Sequence, residues 1–406
     1  MKLKALGPLG LAVLAGGGYG SSAQAAGFAL YESSASALGT AFAGQAVVAQ
    51  DASTIFANPA GLTQVAGSQL VAGATAINSS SQYTSTAGVK SGGDPGATTF
   101  LPSLFYAMDL NRDVKLGFGL YAPFGLKTDY DNPWAGSSQG LLSDLKTVNF
   151  NPTLAWKVND RLSLGLGVDY QYIEATLSNG GFPTPPYPAG LVSTMKGNDT
   201  AWGYNLGLVY QADDATRVGL SYRSTIDYRL TGTVSLNNPL VPGYPKAIYA
   251  DLTVPDMASL AIAHRLDDRW TVMADATWTG WSVFDKLNVQ LAANGATASS
   301  TIENWKDAWR FGLGASYKSS DAWTWRFGVA YDQTPVPDAA HRTARIPDSD
   351  RISVAAGGRY TISPKNLLDV GYMHIFFKDA PTTDAPLTGS YDSHADVLGL
   401  QLTHNF

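Results

Sequence analysis

The sequence has 406 residues, a net charge of −6 and no cysteine. The absence of cysteine excludes disulfides and thiolate metal sites, and an acidic balance without a basic patch argues against a nucleic-acid partner. Charged residues make up only 15% of the chain while Gly (42), Tyr (20) and Trp (10) are plentiful, which is unlike a set of two or three soluble domains.

The first 25 residues have the layout of a secretory signal. Lys2 and Lys4 give a charged start, residues 9–14 an apolar core, and residues 23–25 an Ala-Gln-Ala cleavage site. A core helix is the alternative interpretation. No apolar stretch of about 20 residues follows, so no membrane-spanning helix is predicted. The mature chain is therefore expected to begin at Ala26, outside the cytoplasm.

Residues 26–64 form a stretch rich in small residues, called the hatch below. It lacks the two-residue alternation of a strand, and short apolar runs separated by glycine favour short helices. It closes on Asn58-Pro59-Ala60-Gly61, where Pro59 fixes its own φ and pushes Asn58 into an extended conformation. This tetrapeptide is predicted to be the corner between the hatch and the rest of the chain, with an ordinary loop turn as the alternative.

From residue 65 onward the chain alternates apolar and polar residues, as strands with two different faces do. Three features favour a membrane barrel over a soluble sandwich. Aromatic residues lie near the ends of the apolar faces, glycines and ions fill the polar faces, and tight turns alternate with long loops. About 14 strands are predicted, at residues 65–78, 98–110, 113–122, 147–158, 161–178, 197–212, 215–236, 248–266, 269–284, 305–318, 322–334, 349–362, 366–379 and 391–406, with the stretch 279–304 as loop or strand extension.

A barrel of this size leaves a lumen that its wall cannot fill, because many inward positions are Gly, Ala or Ser. The hatch precedes the first strand and can fold back into the periplasmic end. The expected fold is an all-β membrane protein: a signal peptide (1–25), a small helical hatch (26–64) that plugs the lumen, and a transmembrane antiparallel β-barrel of about 14 strands (65–406).

The mature chain resembles the FadL-type long-chain fatty acid outer-membrane transporters (the OMPP1/FadL/TodX family). The resemblance is carried in family order by the hatch and by residues 121–126, 145–152, 278–281, 332–337 and 345–348. It implies an outer-membrane protein of a Gram-negative bacterium that takes up hydrophobic molecules, above all long-chain fatty acids, by passive diffusion. It further implies an outer-loop groove, a pocket at the hatch N-terminus and a lateral opening at a kinked third strand.

In this sequence the resemblance places the groove at about 123–146, the pocket at Phe28 and the hatch corner at residues 58–60. An acyl tail gains about 0.8 kcal/mol per buried CH₂, so apolar side chains outside the strands are candidate ligand contacts. Those side chains are Phe124, Leu126, Trp134, Leu141 and Leu142, which could instead pack beneath their own loop. The candidate kink residues are Gly117, Gly119, Pro123 and Gly125, which weaken strand pairing or simply end the strand.

A fatty-acid carboxylate needs a cation on the lumen side of the wall. Strand parity suggests Lys306 and Arg310, and it turns Arg326 and Arg359 inward as well. Each of these could instead pair with a lumen acid, and for any single one that alternative is favoured. The candidate acids are Asp275, Asp332 and Asp369.

Other functional classes find little support. The sequence has no phosphate loop or H-E-x-x-H, and its five histidines are scattered with no partner at a useful spacing, so no enzyme, cofactor or metal is predicted. A general porin would lack a plug, and aromatic-hydrocarbon uptake is the alternative ligand class.

The terminal Phe406 predicts recognition by the outer-membrane assembly machinery. The other expected partners are the hydrophobic ligand, outer-membrane lipid and lipopolysaccharide, and the expected state is a monomer.

Overall fold

The computed structural model describes residues 26–180 and 190–406. Within them, 20 strand segments form one antiparallel sheet that closes on itself, because β1 pairs with both β2 and β20. The segments are β1 (Gln69–Ser85), β2 (Thr98–Asp109), β3 (Val114–Tyr121), β4 (Gly125–Asp129), β5 (Leu142–Lys157), β6 (Leu162–Gly180), β7 (Val192–Gln211), β8 (Thr216–Arg223), β9 (Ile226–Leu236), β10 (Lys246–Val254), β11 (Met257–Arg265), β12 (Trp270–Thr279), β13 (Lys286–Leu291), β14 (Thr297–Ile302), β15 (Ala308–Lys318), β16 (Trp323–Asp332), β17 (Arg351–Ser363), β18 (Asn366–Phe377), β19 (Ala380–Thr382) and β20 (Gly389–Asn405).

Three wall strands are each broken into two segments. β3 and β4 follow one another along β5, β8 and β9 follow one another along β7, and β10 and β11 continue the wall beside them. The hairpin β13–β14 extends β12 and β15, and β19 is a short addition to β20. Fourteen strands therefore make the described wall, as predicted. The uncertain stretch 279–304 contains strand extensions.

At the tight turns at one end of the barrel, side-chain oxygens accept hydrogen bonds from backbone N–H groups that have no partner on a neighbouring strand. The Oδ1 atoms of Asn111, Asn159, Asp213 and Asp267 each accept two backbone N–H groups from residues two and three positions later. Short polar side chains favour such turns because they satisfy backbone donors locally. The long connections lie at the other end, called the loop end below.

The wall turns its apolar side chains outward and its polar side chains inward. On β6, Leu164, Leu166 and Val168 are exposed, whereas Asp169 and Gln171 are fully buried. This pattern is the reverse of a soluble core and is typical of a barrel surrounded by lipid. Aromatic pairs gather near the tight turns, with ring centroids 4.6 Å apart for Trp270–Tyr317 and 4.7 Å apart for Trp323–Tyr360, as in an interfacial girdle.

The hatch contains short helices: α1 (Ala35–Leu38), α2 (Thr54–Ala57) and a 3₁₀ helix (Pro59–Gln64). Ser34 caps α1 with an extended backbone, and its Oγ accepts the N–H of Ala37. A second 3₁₀ helix (Trp281–Val283) follows β12. No helix in the described part of the chain is both long and apolar enough to cross a membrane. The predicted signal segment, residues 1–25, lies outside the described residues.

The hatch lies inside the ring of strands. Its residues approach inward-facing glycines on strands all around the barrel: Gly117 of β3, Gly165 of β6, Gly207 of β7, Gly219 of β8, Gly312 of β15, Gly328 of β16, Gly371 of β18 and Gly399 of β20. Its apolar side chains, among them Leu38, Phe42 and Ile55, are almost completely buried. The segment therefore fills space that the wall side chains leave open.

Candidate functional site

Four arginines of the wall hold the hatch in place. Arg359 bridges Asp51 of the hatch (2.7 Å) and Asp369 of β18 (2.8 Å). Arg326 pairs with the same Asp369 at 2.7 Å and also donates to Gln50 of the hatch. Arg310 pairs with Asp275 at 3.2 Å and donates to the carbonyl of Ala41. Each guanidinium thus joins a wall carboxylate to the hatch.

The fourth arginine, Arg223, links the hatch to the third wall strand. It donates to Asp169 (2.8 Å), to the carbonyl of Phe56 in the hatch (2.9 Å) and to the hydroxyl of Tyr121 (3.0 Å). Tyr121 is the last residue of β3. A displacement of the hatch would therefore remove a partner from the strand end at which the wall is interrupted.

The tetrapeptide that closes the hatch packs directly on the wall. Asn58 is extended (φ −158°, ψ 108°), as predicted from the proline after it, and its side chain accepts the N–H of Ala60. Its amide group donates to the carbonyls of Leu208 (3.1 Å) and Leu220 (3.3 Å) in the wall. The backbone fits so closely that a Cβ at Gly165 or Gly207 would collide with it. Only glycine permits this approach.

Phe28, near the start of the hatch, sits in an aromatic cluster. Its ring centroid lies 4.7 Å from Trp281, 5.6 Å from Phe284 and 5.9 Å from both Phe124 and Trp305. The contacts with Trp281 and Phe284 are edge-to-face, an arrangement that adds to the free energy of burial. Phe28 is 1% exposed, so the cluster fixes the hatch N-terminus at one position in the lumen.

The backbone around Phe28 forms a short β-bridge with the interruption of the third wall strand. Ala29 pairs with Phe124. The N–H of Gly125 donates to the carbonyl of Phe28 at 2.9 Å, and the N–H of Leu30 donates to the carbonyl of Pro123 at 2.8 Å. The hatch N-terminus therefore takes the place of a strand neighbour exactly where β3 gives way to β4.

At this interruption the wall has a side cavity. The ladder between β2 and β3 ends at Leu104 and Leu120, and β4 continues in register with β5. A largely apolar cavity with about 680 Å³ of empty space lies here. Its apolar lining consists of Phe100, Leu101, Pro102, Leu120, Ala122, Phe124 and Val148, with Leu30 of the hatch, and its polar lining includes Thr99, Tyr121, Lys146 and Thr147. Phe100 is 61% exposed on the outer face, so the cavity reaches the lipid side of the wall.

A second cavity lies inside the barrel toward the loop end, and it is called the inner cavity below. The empty space within it is about 820 Å³. Most of its lining is aliphatic or aromatic: Phe28, Leu126, Leu145, Leu177, Met195, Leu230, Ile248, Leu252, Phe284, Leu287, Val289 and Ile346. The charged residues of the lining are Asp144 and Lys196 of the wall strands and Glu303 and Arg345 of inward-folded loops. Phe28 borders this cavity and Leu30 borders the side cavity, so the residues between them separate the two.

The sequence relatives agree with this architecture. The family model described as outer membrane protein transport protein (OMPP1/FadL/TodX) matches residues 19–406. The chain belongs to this family. It is similar to a long-chain fatty acid transport protein of Salmonella typhi, with 29% identity over 95% of each chain. It is also similar to outer membrane protein P1 of Haemophilus influenzae, with 32% identity over 97% of each chain.

Solved structures give the same fold. A FadL homologue of Pseudomonas aeruginosa superimposes with a TM-score of 0.86 at 27% identity, covering 94% of this chain and 100% of that one. The toluene transporter TbuX of Ralstonia pickettii shares the fold at a TM-score of 0.68 and 22% identity, covering 88% of this chain and 94% of that one. The protein is thus an outer-membrane β-barrel of a transport family.

The candidate ligand residues predicted from the sequence of this FadL-family chain lie at different places in the structure. Phe28 and Leu126 line the inner cavity, and Phe124 lines the side cavity. Trp134 and Leu141 belong instead to a buried cluster of the outer loops with Tyr130 and Tyr391, as the alternative interpretation held. Leu142, at the start of β5, is half-buried. The predicted contact of these residues with a ligand stays a prediction.

The proposed kink residues fall into two pairs. Gly117 and Gly119 lie within β3, which is in register with β2 and β5 on its two sides. They give space to Ile55 and Leu62 of the hatch. Pro123 lies in the interruption, and Gly125 begins β4. The break in the strand therefore coincides with Pro123, which cannot donate to a ladder.

The two predicted carboxylate-binding cations, Lys306 and Arg310, do not line the inner cavity. Arg310 is paired with Asp275 beside the hatch, which was the favoured alternative. Lys306 is exposed and precedes β15, which begins at Ala308, so strand parity does not determine its direction. Sequence reasoning missed Arg345, Glu303, Trp281 and Trp305 as site residues. Arg345 and Trp281 both occur in motifs that carried the family resemblance, which was the available signal.

Proposed function

We propose that this protein takes up long-chain hydrophobic molecules, fatty acids above all, by passive diffusion across the outer membrane. The ligand enters the inner cavity from the outer loops and leaves through the side cavity after the hatch N-terminus moves. The observation that carries this proposal is the bridge between residues 28–30 and residues 123–125, because one backbone segment separates both cavities. The names of the fatty acid transport relatives support the ligand class.

A disulfide across that bridge tests the proposal. The chain has no cysteine, so Ala29→Cys with Phe124→Cys introduces the sole pair. Bridge partners have Cα atoms about 4.5–5.5 Å apart, which a disulfide spans. Oxidation should abolish uptake of radiolabelled oleate by cells that lack their own transporter, and reduction should restore it. The control pair, Ala330→Cys with Ser353→Cys, joins registered wall residues and should transport in both states.

Two results would contradict this route. Oleate uptake that is equal in the oxidised and reduced bridge variant would mean that the hatch N-terminus need not move. A large steady ion current through the intact protein in planar bilayers would instead indicate a general porin. The proposal assigns transport, not catalysis, to this chain.

Aromatic hydrocarbons are the second candidate ligand class. Phe28 and Phe284 line the inner cavity, Phe28 contacts Trp281 and Trp305, and Phe284 contacts Trp305. Aromatic side chains offer favourable faces and edges to an aromatic guest. Competition between toluene and oleate for the purified protein would separate the two classes. A protein that binds toluene and fails to bind oleate would favour this second candidate.

The remaining assignments complete the proposal. Cleavage after residue 25 would release a chain made of the hatch (26–64) and the barrel (65–406), working as a monomer among outer-membrane lipid and lipopolysaccharide. Phe406 ends the chain directly after β20, with its ring 4.9 Å from that of His404 and 66% exposed. An exposed terminal aromatic ring is available to the assembly machinery.

A further inference from the structure

Arg345 is a buried cation at the wall of an apolar cavity. It lies in the loop between β16 and β17, is 5% exposed and lines the inner cavity beside Ile346. Its guanidinium donates to the carbonyl of Leu142 (3.2 Å), to Ser143 Oγ (3.1 Å) and to the carbonyl of Ser178 (3.4 Å). All three acceptors are neutral. These bonds hold the side chain at the level of Ser143, toward the loop end.

The other charges near this cavity are already compensated. Lys196 pairs with Glu174 at 3.1 Å, and Asp144 pairs with Lys146 at 2.9 Å. Asp144 and Lys196 themselves line the cavity, but each is compensated by its ion-pair partner, so neither adds net charge there. Arg345, by contrast, forms no ion pair with any carboxylate of residues 26–180 or 190–406. A buried cation without a counter-ion is costly unless an anion joins it.

Glu303 is the nearest candidate counter-ion, yet it does not compensate Arg345. The carboxyl group of Glu303 accepts the indole N–H of Trp305 at 3.1 Å and is 1% exposed. Burial raises the pKa of Glu303 to about 8, so the group is mainly neutral at pH 7. Burial also lowers the pKa of Arg345, to about 10, which leaves it positive at pH 7. The cavity therefore carries one uncompensated positive charge.

We propose that Arg345 binds the carboxylate of a long-chain acid at the loop end of the inner cavity, with the tail directed toward Phe28. This inference rests on the proposed function and adds the residue that selects an acid over a neutral molecule. Phe28 contacts the wall at Gly125, which is in register with Lys146 of β5. Ser143, which binds Arg345, lies three residues before Lys146 on the same strand. The guanidinium of Arg345 and the ring of Phe28 are thus separated by roughly 10 Å along the strand.

The test compares two ligands of equal chain length, oleate and oleyl alcohol, on the wild type and three variants of the purified full-length protein. Arg345→Gln keeps hydrogen-bond donors and removes the charge. Arg342→Gln is the matched control, because Arg342 is buried in the same loop, donates to the carbonyls of Asp348 and Pro381, and does not line the cavity. A hydrogen bond to a charged group accounts for about a 10- to 100-fold change in affinity.

We expect Arg345→Gln to weaken oleate binding by about 10- to 100-fold and to change oleyl alcohol binding less than about twofold. Arg345→Lys should recover part of the oleate affinity, because it restores the charge without the fork. Equal losses for both ligands would show a structural role and overturn the inference, as would unchanged oleate binding. Wild-type protein that binds neither ligand would contradict the proposed function itself, so the two failures are distinguishable.

Discussion

Two buried arginine sites in the lumen, the Arg326–Arg359 pair and Arg345, are arranged in opposite ways. Near the tight turns, Arg326 and Arg359 share Asp369, and Arg359 also reaches Asp51 of the hatch. Toward the loop end, Arg345 has only neutral partners in the described chain and faces apolar side chains. Arg359 is therefore a structural tie, whereas Arg345, which lines an apolar cavity without a counter-ion, is prepared for an anion that the described chain does not supply.

The same contrast holds for the surfaces around these arginines. The hatch meets the wall through polar groups such as Ser53, Gln50 and Gln401, which satisfy the buried carboxylate of Asp51 and its neighbours. The inner cavity is nearly all apolar. Polar contacts fix one arrangement of the hatch, since each donor needs a particular acceptor. An apolar surface accepts tails of many shapes, so the specificity for a ligand must come from its few polar groups.

The largest expected effect comes from breaking the tie at the tight-turn end. Arg359→Met leaves the fully buried Asp51 without its ion-pair partner. Removing one partner of a buried pair costs about 3–5 kcal/mol, which should loosen the hatch. We expect frequent ion-current openings in planar bilayers and increased sensitivity of cells to large antibiotics.

The control for this prediction is Arg229→Met. Arg229 pairs with Asp251 at 3.8 Å, with 62% and 66% of the two side chains exposed. Exposed pairs contribute little to stability, so this variant should stay as closed as the wild type. If Arg359→Met were equally closed, the ion pairs would not be what holds the hatch.

A smaller effect is expected from pH at the loop end. Glu303 has a pKa raised to about 8 by burial, and the charged groups that act on it are Arg345 and Asp384. Above pH 8 it becomes ionised and competes with a bound carboxylate for Arg345. Oleate affinity should therefore fall by about three- to tenfold between pH 7 and pH 9, an effect of about one pKa unit of interaction at most.

The matched variant is Glu303→Gln, which is neutral at every pH. It should bind oleate like the wild type at pH 7 and lose the decline toward pH 9. Oleyl alcohol should show no decline in either protein. A wild-type profile that is flat from pH 7 to pH 9 would mean that Glu303 and the ligand do not share Arg345.

Much of the fold could be predicted because the barrel obeys local rules. The alternation on β6 is set by lipid on one side and the lumen on the other, and the turns at Asn111 and Asp213 have the residues that such turns need. The break at Pro123 follows from its missing donor. Phe28 was predicted at the hatch pocket and Leu126 in the outer-loop groove, and the structure places both on the inner cavity.

The rest depends on loops that fold back into the barrel. Arg345 and Glu303 lie outside the strands, where the two-residue period does not determine direction. Trp134 also lies outside the strands, so alternation does not determine its direction. Its ring stacks on Tyr130, with centroids 4.1 Å apart, within the loop cluster instead of lining a groove. Strand alternation correctly predicted that Arg310 points inward. It could not predict that the guanidinium is already paired with Asp275 and bonded to the Ala41 carbonyl of the hatch.

The smallest expected effect is at Lys306, the residue for which strand parity and the structure lead to different expectations. Its side chain is exposed, its N–H donates to the carbonyl of Pro335 at 2.9 Å, and it does not line the inner cavity. Lys306→Ala should thus change oleate affinity by less than about twofold, since exposed substitutions typically stay within about 0.5 kcal/mol. The measurement is the same oleate titration that tests Arg345. A loss of tenfold or more would instead mean that residues 303–307 rotate when ligand arrives and carry the ammonium group inward, so that two cations and not one would hold the carboxylate.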